Sequence, residues 1–333
     1  MTSLLEKGGG TFAGIKMLLC ENPLPPIEEA IAAAQDELAR SNYYTEAYSV
    51  PLRRLLSDQI GVPERRIHIN AGLELILRQL FARLGKRVHL LTPTYALFPE
   101  IAASYSETHL LPQDQFAFGL AKLAIPPGTT LVAIVNPNGG TFDIAPLPDL
   151  LVRYPQPHFL VDEAFVGMAG GSVASWVSRH RNLLVTRTVP KAHNLAGFRV
   201  GYGILPEALA DDLNQNNDAY PLARPSEAAA IATLRYESKI RERAVALHGC
   251  ARELAVELEK LGAKTFPSRT YSFLADLAPH DAKTIAARLR ARQVLVKPLN
   301  APRLGPGYLR VTTALPEDNR RFLEVMREVL RRE

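Results

Sequence analysis

Several things are scarce in this 333-residue chain, and each scarcity narrows what it can be. There are only two cysteines, Cys20 and Cys250, far apart and in no CxxC spacing. That count provides no disulfide framework and no thiolate metal cluster, and it suits a reducing compartment. No run of about 18 apolar residues exists, so no segment reads as a membrane span. The opening MTSLLEKGGGTFAGIKMLLC lacks the basic–apolar–small layout of a secretion signal. A cytoplasmic location with no membrane partner is the expectation. Internal repeats and low-complexity tracts are absent. The net charge of +5 is not gathered into basic runs interleaved with aromatics, so it reads as a solvated surface rather than a nucleic-acid footprint. No His/Cys/Asp/Glu spacing suggests a metal.

What is present is an ordinary globular composition, 47% hydrophobic and 22% charged, over a length that suits two domains. Helix-like segments at 27–40, 50–61 and 72–85 carry good helix formers at helical periodicity. They give way to short, almost continuous apolar runs: VHLLTP (88–93), LVAIVNP (131–137), HFLVDEA (158–164), LLVTRT (183–188) and VGYGIL (200–205). Runs of this kind are strands covered on both faces. The spacing therefore predicts an α/β protein with a mostly parallel sheet between two helical layers. After Tyr220 the texture changes to a long helical stretch (225–262), then YSFLADL, VLVKPL and YLRVTT around a helix at 281–292, and a closing amphipathic helix. This predicts a smaller α+β C-terminal domain. The expected division is 1–30 as an N-terminal segment packing on the small domain, 31–224 as the large domain, and 225–333 as the small one.

Several of the apolar runs end in side chains with chemical capability, where ligands of open α/β sheets gather. TRTVPKAHNLAGFRVGYG (186–203) sets Lys191 just past a strand and Arg199 in a Gly-bracketed turn. A buried amine near cations or apolar groups is a nucleophile toward an aldehyde, whereas a surface loop Lys is not. Arg199 can clamp a phosphate as a fork. VDEAF puts Asp162 at a strand end, where it can pair with a protonated ring nitrogen or merely cap a turn. INAGLEL puts Ala71, Gly72 and Leu73 at a helix start, suited to a phosphate. Tyr95, in TPTYALF, can stack on a ring. Arg310, in PGYLRVTT, can take a substrate carboxylate or face solvent from an edge strand.

These motifs, in this order, resemble the fold-type I pyridoxal-phosphate enzymes of aminotransferase class I/II, and among them the histidinol-phosphate aminotransferases. The resemblance runs from ENPLPP (21–26) to the last helix and includes Tyr44 and YPLARPS (220–226). It implies that Lys191 holds the cofactor through its amine and then carries the proton of the exchange. Asp162 would meet the pyridine nitrogen, and Tyr95 would stack on the ring. Ala71, Gly72, Leu73, Thr188 and Arg199 would hold the phosphate. Asn138 and position 165 would face the ring's phenolic oxygen. Tyr44 would reach the phosphate across a homodimer interface. Asn22, Lys297 and Arg310 would bind substrate, an amino acid or amine exchanging with a 2-oxo acid.

Five departures stand out. Phe165 replaces the usual Tyr, and NPNGGTF (136–142) puts Gly139 where an Asn is usual, with Asn138 able to serve after a one-residue shift. With both usual partners of the phenolic oxygen gone, the cofactor's linkage to Lys191 is expected to keep its proton to higher pH. Pro190 replaces a phosphate-binding Ser, Lys297 replaces an Arg fork, and Tyr271–Ser272–Phe273 replaces an Asn-bearing strand. Two alternatives share the pattern: a decarboxylase of the threonine-phosphate type, and a cofactor-binding protein without turnover. The absence of a DNA-binding segment, with Lys191, Asp162 and Arg310 retained, weighs against the second.

Overall fold

A computed structural model describes residues 12–92, 94–112, 120–121, 123–138, 143–266, 268–299 and 304–331. Seven strands make the main sheet. In spatial order they are Ile67–Asn70, Gly201–Ile204, Leu183–Thr188, His158–Asp162, Leu131–Val135, Arg87–Thr92 and Glu107–Pro112. The last five pair in parallel, while Gly201–Ile204 runs antiparallel to both of its neighbours. That reversal follows from connection length. Parallel neighbours need a crossover, usually a helix, whereas Leu183–Thr188 returns as Gly201–Ile204 through the short turn that carries Lys191.

The alternation of side chains across this sheet fills two separate cores. Val132, Ile134, Phe159, Val161, Leu183 and Val185 point into one cluster, and Leu131, Ala133, Leu160 and Leu184 point into the other. Helices Glu28–Leu38, Val50–Ile60, Leu147–Arg153 and Arg224–Leu234 cover the first face, with Ala30, Leu52, Leu150 and Ala230 among the buried residues. Helices Leu73–Leu84, Leu97–Ala103 and Glu207–Gln215 cover the second, through Ile76, Phe81, Phe98 and Leu213. Burial on both faces is the reason the strands read as near-continuous apolar runs.

A four-stranded antiparallel sheet, ordered Lys297–Pro298, Tyr308–Thr312, Ser272–Asp276, Lys264–Phe266, builds a third core with helices Glu237–Glu259, Ala282–Arg290 and Pro316–Leu330. The N-terminal segment joins it: Ile15–Lys16 pairs with Val294–Leu295, Met17 N–H donates to the Leu295 carbonyl at 2.8 Å, and Met17 is fully buried in that core. Ten residues on, Ile27 is buried in the core of the large sheet.

Three sequence expectations change. The helical stretch at 225–262 is two helices, Arg224–Leu234 and Glu237–Glu259, parted at Arg235–Tyr236. Strands Ile67–Asn70 and Glu107–Pro112 escape the apolar-run criterion. The first carries two buried polar residues, His68 and Asn70, and the second is a sheet edge bearing Glu107 and His109. Lys264–Phe266 is a further short strand. No described helix is long and apolar enough to cross a membrane.

Candidate active site

The turn between Leu183–Thr188 and Gly201–Ile204 supplies three of the expected residues. Thr188 pairs with Gly201 in register, and its hydroxyl donates to the Val200 carbonyl at 3.2 Å. A single helical turn, Pro190–His193, follows; Pro190 costs nothing in a first turn, where its missing N–H has no helical partner. Asn194 and Arg199 adopt left-handed backbone, φ 61° and 54°, which folds the segment back. Lys191 Nζ donates to the carbonyls of Leu19 at 2.9 Å and Cys20 at 3.0 Å and lies 5.8 Å from the Phe165 ring centre. Burial pushes this amine's pKa down and Arg310 adds to that, against Cys20, Glu21 and Asp162, which favour its charge. A depressed lysine pKa leaves more of the amine neutral and nucleophilic.

Asp162, at the carboxyl end of His158–Asp162, is 3% exposed and accepts one hydrogen bond, from the Ala164 N–H at 2.9 Å. Burial raises its pKa to about 7 against that one helpful bond. A buried carboxylate this poorly compensated fits a cationic ring nitrogen as its missing partner. Burial also raises the pKa of the half-buried Tyr95, whose ring meets Phe98 edge-on at 5.7 Å; Asp162 and Arg199 both act on it. The neighbouring Thr94 hydroxyl is buried without a hydrogen-bond partner.

At the other end, strand Ile67–Asn70 runs through Ala71 and Gly72 into helix Leu73–Leu84. Gly72 has φ +95°, and a Cβ there would come within 2.7 Å of the Arg199 guanidinium. A Cβ on Gly201 would meet the Leu73 nitrogen at 2.5 Å. Only glycine allows both approaches, which press a guanidinium against the positive end of a 12-residue helix. Two positive groups held this close call for an anion, and a phosphate has the right charge and shape. The Ala71 N–H is held by Asn70 Oδ1 at 2.8 Å and the Gly72 N–H by the Asn70 carbonyl at 2.8 Å. The residues present thus fit both ends of pyridoxal phosphate.

The substrate-side residues come from the small sheet and the N-terminal segment. Arg310 sits between Leu274 and Lys297 in register. One terminal nitrogen donates to the Leu18 carbonyl at 3.1 Å, and its Nε is buried without a partner. Asn22 donates to the Lys191 carbonyl at 3.2 Å and to Asn194 Oδ1 at 2.8 Å, so it braces the Lys191 turn from outside. Asn138 is described and half-buried; Gly139, and the remainder of its loop to 142, lie outside the described residues. Tyr44 stands apart from this cluster. It is 76% exposed, stacks on Tyr220 at 4.4 Å, and its carbonyl takes a 2.7 Å bond from Arg224.

Two residues of the cluster were given no role in the site by the sequence. Tyr271 is fully buried, packs edge-on against Phe165 at 5.8 Å, and donates its hydroxyl to the Cys20 carbonyl at 2.8 Å. Cys20 is buried with its thiol near the Ser272 and Thr312 hydroxyls at 3.8 and 3.6 Å. Burial alone would raise the pKa of that thiol, but Arg310, Lys191 and the Thr312 and Ser272 hydroxyls together pull it down. The contacts that recruit both residues span 171 to 292 positions, which no local pattern encodes; the neighbour ENPLPP was the only sequence cue.

The profile of the family described as "Aminotransferase class I and II" matches residues 15–326. The chain is 31% identical to histidinol-phosphate aminotransferase 1 of Pseudomonas aeruginosa, covering 94% of this chain and 92% of that one. It is equally identical to histidinol-phosphate aminotransferase 2 of Pseudomonas fluorescens Pf0-1, over 96% and 89%. Among solved structures it resembles a putative histidinol-phosphate aminotransferase from Erwinia carotovora atroseptica, with a TM-score of 0.86 at 22% identity over 96% of each chain. The histidinol-phosphate aminotransferase of Sinorhizobium meliloti, solved with pyridoxal-5'-phosphate, gives 0.85 at 18% over 100% and 98%. An L-threonine-O-3-phosphate decarboxylase from Porphyromonas gingivalis gives 0.84 at 18% over 95% and 99%. At such identities the structural likeness speaks for the fold, that of the fold-type I pyridoxal-phosphate enzymes.

Proposed function

The chain belongs to the aminotransferase class I and II family, and from that premise we propose how its residues divide the work of a pyridoxal-phosphate-dependent transaminase resembling the histidinol-phosphate aminotransferases. The observation that carries the assignment is the convergence of a half-buried amine of lowered pKa, a buried carboxylate of raised pKa, and a guanidinium with an unpartnered Nε. Lys191, Asp162 and Arg310 meet these descriptions.

Pyridoxal phosphate, when bound, supplies an electrophilic carbon and a ring that accepts electron density from the substrate's α-carbon. Lys191 would hold it covalently and, once displaced by the substrate amine, move the proton across the reacting carbons. Asp162 would keep the ring nitrogen protonated, and the pairing would relieve the cost of its own burial. Tyr95 would stack on the ring and fix its plane. Ala71, Gly72, Leu73, Thr188 and Arg199 would anchor the phosphate. Asn138 would face the phenolic oxygen, with Phe165 closing that edge without a hydroxyl. Arg310 would take a substrate carboxylate or comparable anion, and Lys297, its cross-strand neighbour, would meet a second anionic group as a point charge rather than a fork. Asn22 would act on the substrate indirectly, by bracing the Lys191 turn.

The proposal extends to a cytoplasmic homodimer in which Tyr44, 76% exposed, reaches the partner's phosphate end. A division into N-terminal segment, large domain and small domain is also part of it, with the boundary expected at 224 moved to the break at Arg235–Tyr236, because helix Arg224–Leu234 packs in the core of the large sheet. Borohydride reduction followed by peptide mapping should label Lys191; labelling of another Lys would overturn the assignment. Titrating the visible spectrum against a panel of amino acids and phosphorylated amines then identifies the donor. Conversion of the cofactor to its amine form signals half-transamination, and release of carbon dioxide signals a decarboxylase instead.

A further inference from the structure

Behind the proposed phosphate turn lies a part-buried polar chain that the catalytic reading leaves unused. His68 is fully buried in strand Ile67–Asn70. Its Nε2 lies 2.8 Å from Gln79 Oε1 and its Nδ1 2.7 Å from Asn214 Oδ1. Gln79 Oε1 also accepts from Asn70 Nδ2 at 3.4 Å, while Gln79 Nε2 and Asn70 Nδ2 both donate to Asn217 Oδ1, at 3.2 and 3.1 Å. Asn217 in turn donates to the Ile69 carbonyl at 3.4 Å.

The geometry fixes the orientation of Gln79. Gln79 cannot reverse, because its NH2 would then face Asn70's NH2 and its oxygen would face Asn217 Oδ1. Its oxygen therefore points at His68, which must donate through Nε2. Both ring nitrogens of His68 thus face side-chain oxygens, Gln79 Oε1 and Asn214 Oδ1, and these two bonds favour the charged ring against the burial that lowers its pKa. Each member fixes the next, and the last link is Asn70 Oδ1, which accepts the Ala71 N–H at 2.8 Å. Asn70 thereby holds the Ala71–Gly72 turn beside a surface cleft that Asn70, Ala71, Gln79 and Asn217 help to line.

We propose that Asn70 is a positioning residue for cofactor binding: through the His68–Gln79–Asn217 chain it presets the Ala71–Gly72 turn, so that the cofactor's phosphate meets the start of helix Leu73–Leu84 and the Arg199 guanidinium already in place. This rests on the reading that the turn holds the phosphate. The gain lies in preorganisation, since donors fixed before binding need not be ordered during it.

The test compares pyridoxal phosphate with pyridoxal, which lacks the phosphate, as ligands of the cofactor-stripped full chain, read by cofactor absorbance and by quenching of Trp176, the single tryptophan. Wild type should prefer the phosphorylated ligand. Asn70→Ala should weaken that ligand about tenfold, as for one buried hydrogen bond, and leave pyridoxal within about twofold. Asn70→Ser, which keeps a short acceptor for the Ala71 N–H, should recover part of the loss. Equal loss for both ligands, or unchanged discrimination, overturns the proposal. Should Asn70→Ala fail to fold, Gln79→Met is read for the same two outcomes. A wild type that binds pyridoxal as tightly as its phosphate instead removes the underlying phosphate assignment.

Discussion

The two ends of the proposed cofactor site are built in opposite ways. At the phosphate end, glycines at 72 and 201 let backbone and guanidinium close to within the reach of a missing Cβ, and polar groups hold one another in a continuous chain. At the ring end, Phe165 and Tyr271 wall a corner that makes charge costly, and burial lowers the pKa of Lys191 and raises that of Asp162. One end achieves affinity by fixed donors, the other reactivity by desolvation. Changes at the phosphate end should therefore act on cofactor affinity, and changes at the ring end on turnover.

The largest effect expected is at Lys191. Lys191→Ala should lower kcat by more than about a thousandfold, because both the covalent tether and the proton carrier go. It should also leave the protein able to bind pyridoxal phosphate non-covalently, as judged by equilibrium dialysis. Loss of binding together with turnover would erase the contrast between the two ends.

Asp162→Asn should lower kcat by about 100-fold or more, and in the cofactor-stripped protein it should raise stability. The sign follows from the folded pKa of about 7 against an ordinary 3.8. The cost of ionising Asp162 is absent below the unfolded value, grows as pH rises, and is complete above the folded one. Three units correspond to at most about 4 kcal/mol. Melting temperatures of wild type and variant should therefore coincide near pH 4 and separate by pH 8, with the variant higher. Parallel melting curves across that range would show that the carboxylate carries no such strain.

Arg310→Ala should reduce kcat/KM about 100-fold, the scale of a lost charge-assisted pair, chiefly through KM for the carboxylate-bearing substrate. Added guanidinium should restore part of it, and an effect confined to kcat would remove Arg310 from substrate binding. The smallest effect belongs to Phe165→Tyr. A hydroxyl toward the phenolic oxygen should lower, by about one unit, the pH at which the cofactor's visible band changes. An unmoved midpoint would mean that another group already supplies that hydrogen bond.

How much of this was legible beforehand divides along the same line. The five buried strands could be read because burial on both faces writes itself as unbroken apolar runs. His68 and Asn70 hid the strand Ile67–Asn70, since polar residues buried for hydrogen bonding look like a loop. Glu107 and His109 hid the edge strand for the opposite reason, being half in water. In the site, Lys191 and Arg199 share one turn and so share one motif. Cys20 and Tyr271 are brought to Lys191 from the chain's start and from the small sheet, and pairing across such separations is decided by the tertiary fold alone. The break at Arg235–Tyr236 was invisible because neither residue is a Pro or Gly.

The N-terminal segment has a mechanical consequence. Met17 is anchored in the core of the small sheet and Ile27 in that of the large one, with Asn22 tied midway to the Lys191 turn. A leash this short stretches by no more than about 3.5 Å per residue. Any swing of the C-terminal part about the rest must draw on its slack, and the pull arrives at the backbone of Lys191. Lengthening the leash by a few glycines between Leu24 and Ile27 would loosen the hinge without touching a single group that meets substrate.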